Sequence, residues 1–183
     1  MKLKKQHSPY IARKITKDIV NSPFIEVRKE KSMITEVCER IINEDIQKEI
    51  ELDSAVDDLL EEQEDEIEFY KADYRQLFWM TKKRMANDFG VNLNLEDRFS
   101  ILAHMLMDYL YEEDFIHFTV NDNQVKNLIA LSISTFIKGY DEADTLAYEK
   151  IKTYKRRLIP GTEDYDIVFG RLYEEELIKK GLI

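Results

Sequence analysis

Shifted by 91 positions against itself, without a gap, the chain of 183 residues brings its apolar positions into phase. Ile11, Ile15 and Ile19 fall on Leu102, Leu106 and Leu110, and Ile34, Val37 and Cys38 fall on Val125, Leu128 and Ile129. Identities accompany the phase: Ala12 with Ala103, Phe24-Ile25 with Phe115-Ile116, Asp73-Tyr74 with Asp164-Tyr165, Phe78 with Phe169, Gly90 with Gly181. One offset that serves helical stripes, a strand-like segment and a terminal glycine alike is the signature of a duplicated unit. Two structural repeats are expected, 1–91 and 92–183, docked as one compact unit.

Each unit reads as helix, strand, helix, long helix. With only five Gly and three Pro, the chain is poor in the residues that turn strands, and a mainly α fold is expected. In the first unit Ser8-Pro9 reads as a helix start, with Ile11, Ala12, Ile15 and Ile19 as its stripe. "FIEV" is a strand, and Ser32 caps a helix striped by Ile34, Val37, Cys38, Ile41 and Ile46. A third helix is expected from Asp53, and nothing in 53–88 is Gly or Pro, which allows one continuous helix of about 50 Å.

In the second unit Asn94 and Asp97 mark a helix start. Its stripe runs Leu95, Phe99, Leu102, Ala103, Leu106 and Leu110. Ile101, Met105 and Tyr109 make the other face apolar as well, which predicts that 95–111 is the central helix. "FIHFTV" is the second strand, and Asn121 with Gln124 caps the next helix. "IPG" at 159–161 separates helices expected near 142–157 and 163–180. A lone strand leaves backbone groups unpaired, so "FIEV" and "FIHF" are expected to pair antiparallel about a pseudo-twofold axis.

The formal net charge is −10, unevenly spread. Residues 1–31 carry +6, 32–73 carry −13, 74–91 carry +3 and 92–183 carry −6. An acidic whole disfavours non-specific nucleic-acid binding, where phosphate neutralisation dominates. The single cysteine, Cys38, forms no internal disulfide, and no apolar run is long enough to span a bilayer. A cytoplasmic protein without membrane contact is expected.

No constellation of catalytic residues emerges. His104 and Asp108 share a helix face at i, i+4, but His7 and His117 lie in other elements, so no metal site is assigned. Cys38 sits on an apolar stripe, the setting of a core residue rather than of an activated thiolate. Glycine-rich phosphate loops and the GxSxG elbow are missing from the sequence. No cofactor is expected, and an enzymatic role is disfavoured. The basic clusters, Lys82-Lys83-Arg84 beside Phe78 and Trp79, and Lys155-Arg156-Arg157, have a nucleic-acid-like mix of cations and aromatics. They also fall near expected helix C-termini, where cations complement the helix dipole.

Three segments carry a resemblance: "MKLKKQHSPYIARKITKDIV" at the start, "EDFIHF" with "NDNQVKNLI" in the middle, and "KRRLIPGTEDYDIVFGRLYEEELIKKG" at the end. On these the chain resembles a bacterial family catalogued as domain of unknown function 507, over nearly its whole length. The turn Pro160-Gly161-Thr162 departs from the more polar, Glu-containing turn expected there. The resemblance implies a two-halved chain of about this size and brings no activity, cofactor or catalytic residue with it.

The expected function is therefore that of a non-enzymatic interaction or adaptor protein, working on a protein partner through helix faces and charge. The alternative is a nucleic-acid-associated protein using the basic N-terminus and Lys82-Lys83-Arg84. The candidate patch comprises Lys82, Lys83, Arg84, Lys155, Arg156, Arg157, Glu64, Asp65 and Glu66. Under the 91-residue shift Glu64-Asp65-Glu66 meets Lys155-Arg156-Arg157, and Lys83-Arg84 meets Glu174-Glu175. This inversion of sign is expected to help the halves dock, with carboxylates of the acidic triplet within about 4 Å of Arg156 or Arg157.

Overall fold

The computed structural model describes residues 3–154 and 158–182, with every side chain in that span except that of Glu66. The fold is mainly helical, as the shortage of turn residues requires. A single 3-10 turn, Lys5–His7, leads into α1 (Ser8–Asn21). Then come β1 (Glu26–Val27), α2 (Lys31–Glu61), α3 (Glu64–Phe69), α4 (Tyr74–Met85), α5 (Leu95–Glu112), β2 (Ile116–His117), α6 (Asp122–Lys152) and α7 (Glu163–Lys179).

Helices α1, α2, α5 and α6 close a ring: α1 packs on α2 and α6, and α5 packs on the same two. Their apolar stripes meet in one core, with Ile11, Ile15, Ile19, Ile34, Ile42, Leu102, Leu106, Leu110 and Ile133 all excluded from solvent. At one end, where α1 and α5 finish and α2 and α6 begin, β1 and β2 pair antiparallel, Glu26 opposite His117 and Val27 opposite Ile116. Arg28 N–H donates to Phe115 O at 2.9 Å and prolongs the ladder. The turn before β2 bends at Asp114, whose φ is 56°. Arg28 reaches the Asp114 carboxylate at 2.6 Å, and Lys29 Nζ lies 4.0 Å from the Phe115 ring centroid.

At the other end α2 and α6, 31 residues each, run on past the shorter α1. At 1.5 Å per residue that is about 46 Å against about 21 Å. Each extension supports an arm with its own small core. On α2 these are Leu52, Val56 and Leu60 with Ala86 and Val91; on α6 they are Ala147 and Ile151 with Leu172 of α7.

Several expected boundaries move. No helix begins at Asp53: α2 runs unbroken through it, and the breaks come after Glu61 and after Phe69. The single helix that the sequence allows over 53–88 is thus three pieces. Like charges at i, i+4 explain the position of the break: Asp57/Glu61, Asp58/Glu62, Glu61/Asp65 and Glu64/Glu68 all repel. Likewise α6 passes through 142 without interruption and stops at Lys152. Ser8 is not an N-cap; His7 occupies that place, and Ser8 Oγ donates to Lys5 O at 2.9 Å. Glu30 rather than Ser32 precedes α2, with no side-chain cap. Asn94 caps as expected, accepting from Glu96 N–H and Asp97 N–H, and Asn121 accepts from Asn123 N–H. Helix α5 is not sheathed all round, because Ile101 and Met105 are exposed. Its second apolar face looks outward, and α1, held between α2 and α6, is the better-covered helix of the two.

A candidate interaction surface

The first arm presents the most exposed large apolar side chains of the described chain, Phe69 at 78% and Tyr70 at 73% of full exposure. They meet edge to face, 5.1 Å between centroids, at the turn that ends α3. The chain reverses there with Lys71 at φ 51°. Asp73 then starts α4, its carboxylate accepting from Arg75 N–H and Gln76 N–H. Tyr74 Oη donates to Asp57 at 2.9 Å and ties α4 to α2.

Helix α4 has two faces. Leu77, Phe78 and Met85 turn inward onto the small core. Outward, at helical spacing, stand Arg75, Trp79, Met80, Lys83 and Arg84, with Trp79 at 51% and Met80 at 61% exposure. A cation stripe interleaved with Trp and Met, continued by Phe69 and Tyr70, is a large exposed apolar feature of the kind that marks a contact surface.

Beneath it lies a buried ion cluster joining α2, α4 and α5. Lys82 Nζ is 2.9 Å from Glu49 Oε1 and 2.6 Å from Asp53 Oδ1. Arg98 Nη1 is 2.5 Å from Glu49 Oε2, and Arg98 Nη2 is 2.7 Å from Asp45 Oδ2. Lys82, Glu49 and Arg98 are all buried. Burial works against the Glu49 carboxylate, but hydrogen bonds from Lys82 and Arg98 outweigh it and lower its pKa. Burial also works against the charge on Lys82 and on Arg98, and their carboxylate partners raise both pKa values in spite of it. Glu49, Lys82 and Arg98 are thus held charged and hydrogen-bonded. Such a cluster fixes the geometry of three helices against one another. It lines a cavity of about 450 Å³ with Phe78, Trp79, Leu93 and Leu95, and Lys82 Nζ sits 5.3 Å from the Trp79 ring centroid.

Of the patch expected from sequence, Lys82 is drawn inside by this cluster, whereas Lys83 and Arg84 are exposed on α4 and Glu64 and Asp65 are exposed on α3. The side chain of Glu66 and residues Lys155, Arg156 and Arg157 lie outside what the structure describes. The expected ion pair between the acidic and basic triplets falls there as well. Glu175 pairs with Arg171 at 3.8 Å, on its own helix, rather than with Lys83 or Arg84. His104 Nε2 lies 3.4 Å from Asp108 Oδ2 on the exposed side of α5, and no group of three or more metal-binding side chains gathers among the described residues. Cys38 is buried, and burial pushes its thiol up to about 12. Among the described residues no helix is long and apolar enough to cross a membrane.

Sequence reasoning missed the ion cluster and the outward apolar side chains of Phe69, Tyr70 and Met80. Asp45, Glu49 and Asp53 share one face of α2, but Lys82 and Arg98 are 33 and 49 positions from Glu49 in the chain, so no spacing betrays that they meet it. The aromatics had a signal: Phe69-Tyr70 follows directly on the acidic run, where repulsion makes a helix end.

No curated protein sequence matches the chain. A family described as "Protein of unknown function (DUF507)" matches residues 1–182, nearly the whole length. The chain belongs to that family.

Proposed function

We propose that the protein is a non-enzymatic interaction protein, an adaptor or assembly factor of the cytoplasm, and that the α3–α4 arm is its docking surface. The observation that carries this reading is the outward stripe of α4. Trp79 and Met80 stand in solvent between Arg75 and Lys83-Arg84, on a helix whose root is immobilised by the buried ions around Lys82. Aromatic and Arg side chains on a rigid base are the usual anchors of protein contacts. The test is affinity capture with the full chain and with Trp79→Ser/Met80→Ser. A protein retained by the first and lost by the second supports the reading; identical capture by both removes it.

The same interleaving of cations and aromatics also favours a second reading, a nucleic-acid-associated protein using Lys83, Arg84 and the basic N-terminus around Arg13 and Lys17. Lys82 takes no part, being buried. Binding of the purified chain to a labelled oligonucleotide at low ionic strength, weakening steeply with salt, would favour it.

We further propose that the molecule is a tandem duplication, 1–91 and 92–183, about a pseudo-twofold axis. Three observations support this. Lys31–Glu61 and Asp122–Lys152 have bounds 91 positions apart at both ends. Glu26 and His117, also 91 apart, are each other's partners in the strand pair, as they would be if an axis passed between them. The roots of the two arms correspond as well: Arg98, Asp45, Glu49 and Lys82 shift onto His7, Phe136, Tyr140 and Tyr173. These four form a ring cluster, with His7–Tyr140 and Phe136–Tyr140 centroids both 4.6 Å apart and Tyr140–Tyr173 at 5.9 Å. One root is ionic and the other aromatic, at the same place in the repeat.

A further inference from the structure

Building on the reading of the arm as a docking surface, we infer that its partner is a second copy of this chain, whose groove between α1 and α6 receives the acidic, aromatic tip of the arm. The groove is a cavity of about 430 Å³ walled by Tyr10, Arg13 and Lys17 on α1 and by Phe136 on α6, and closed by Lys180 and Leu182 after α7. Its floor is apolar. Leu182 lies flat on α6 because residue 139 is glycine: a Cβ there would stand 2.8 Å from Leu182 Cδ1. Its rim is cationic. Lys14 shares Asp18, and Lys180 shares Glu142 at 2.6 Å. Arg13 lies over the Tyr10 ring at 5.5 Å, and neither it nor Lys17 has a carboxylate partner among the described residues.

The tip is the converse. Glu61, Glu62, Glu64, Asp65 and Glu68 are all exposed, and no described cation pairs with any of them. Phe69 and Tyr70 project beside these carboxylates without cover. Aromatic rings with an acidic collar match an apolar floor with a basic rim, and charges of opposite sign set the register of such a contact. No ion pair joins tip and groove within one chain, among the described residues. In the proposed contact they meet between copies and head to tail, with different patches on the two sides, an arrangement that propagates unless it closes into a ring.

A complementation experiment on the full chain tests this. Arg13→Glu/Lys17→Glu blocks the groove, and Phe69→Ser/Tyr70→Ser blunts the tip. All four sites are on the surface or its edge, and circular dichroism checks that each variant is folded. In sedimentation velocity the wild-type chain is expected to show mass rising with concentration, while each double variant stays monomeric. An equimolar mixture of the two variants is expected to give a species of twice the monomer mass and nothing larger, because one intact tip meets one intact groove. A monomeric wild-type chain, a double variant that still associates, or a mixture that stays monomeric overturns the inference. A monomeric wild-type chain that still captures a protein through Trp79 and Met80 overturns self-docking and leaves the arm reading standing. Capture that depends on Arg13 and Lys17 alone assigns the groove to a different chain.

Discussion

Lys82 donates to Glu49 across 2.9 Å with both side chains buried, and it is this pair that fastens the root of α4 to α2. Removing one member of a buried pair strands the other charge in the interior, at about 3–5 kcal/mol. Lys82→Met leaves Glu49 still held by Arg98, so the expected destabilisation is at the lower end of that range, about 3 kcal/mol. For a domain of this size each kcal/mol moves the melting temperature by about 2–4 °C. Thermal denaturation followed by circular dichroism reads the shift, and an unchanged melting curve contradicts the role given to the pair.

Acid should loosen the second arm in a defined window. Glu176 accepts from Lys150 and Lys179, and these hydrogen bonds hold its carboxyl at about 2. A carboxylate whose folded pKa is depressed stabilises the fold above its ordinary range and loses that contribution as pH falls through the folded value. Stability is thus expected to decline as pH drops from the ordinary glutamate range toward about 2. Glu176→Gln should flatten that decline. Urea denaturation at a series of pH values measures it.

His7 behaves in the opposite chemical sense. Burial lowers its pKa, Lys4 lowers it further, and Asp141 opposes them. Its Nδ1 finds no hydrogen-bond partner among the described residues. Below about 6.5, the ordinary histidine value, the unfolded chain takes up a proton that the folded chain resists. A loss of stability is expected as pH falls below that value, and His7→Phe should remove it while keeping a ring against Tyr140. A variant whose stability still falls between pH 7 and 5 as steeply as the wild-type chain's would count against this.

Phe115 is buried at 6% exposure, with Tyr109 packed 6.3 Å away between ring centroids. Phe115→Ala is expected to cost about 3–5 kcal/mol, as large-to-small changes in cores do. Phe24, its counterpart under the 91-residue shift, is only partly buried and borders a surface cavity beside Leu131. Phe24→Ala should cost less than Phe115→Ala. Denaturant midpoints compare the two directly, and an equal loss would mean that Phe24 is covered in solution.

The sequence was most legible where the signal is local. Asn94 and Asn121 announced helix starts through their own amide side chains, and the apolar stripe of α1 named its buried residues. The antiparallel partnership of "FIEV" and "FIHF" followed from the need of lone strands for a partner. Boundaries set by repulsion were harder to read. The break after Glu61 involves neither Gly nor Pro, only accumulated like charge, and its cost emerges over several turns. The two faces of α5 were misjudged because period alone cannot tell a helix buried all round from one with Ile101 and Met105 facing water. The cluster around Arg98 was invisible for a different reason. Charged residues are normally read as surface, and only the meeting of three distant helices turns these inward.

That α1 lies between α2 and α6 has a consequence for how the protein is made. Helix α1 ends at Asn21, and α6, which covers its second side, begins only at Asp122. About 100 residues must leave the ribosome in between, on the order of 5–20 s at about 5–20 residues per second. Through that interval the side of α1 that packs on α6 stays open. The first half of the newborn chain therefore waits, half-dressed, for the second, and it is in this interval that a chaperone would find it.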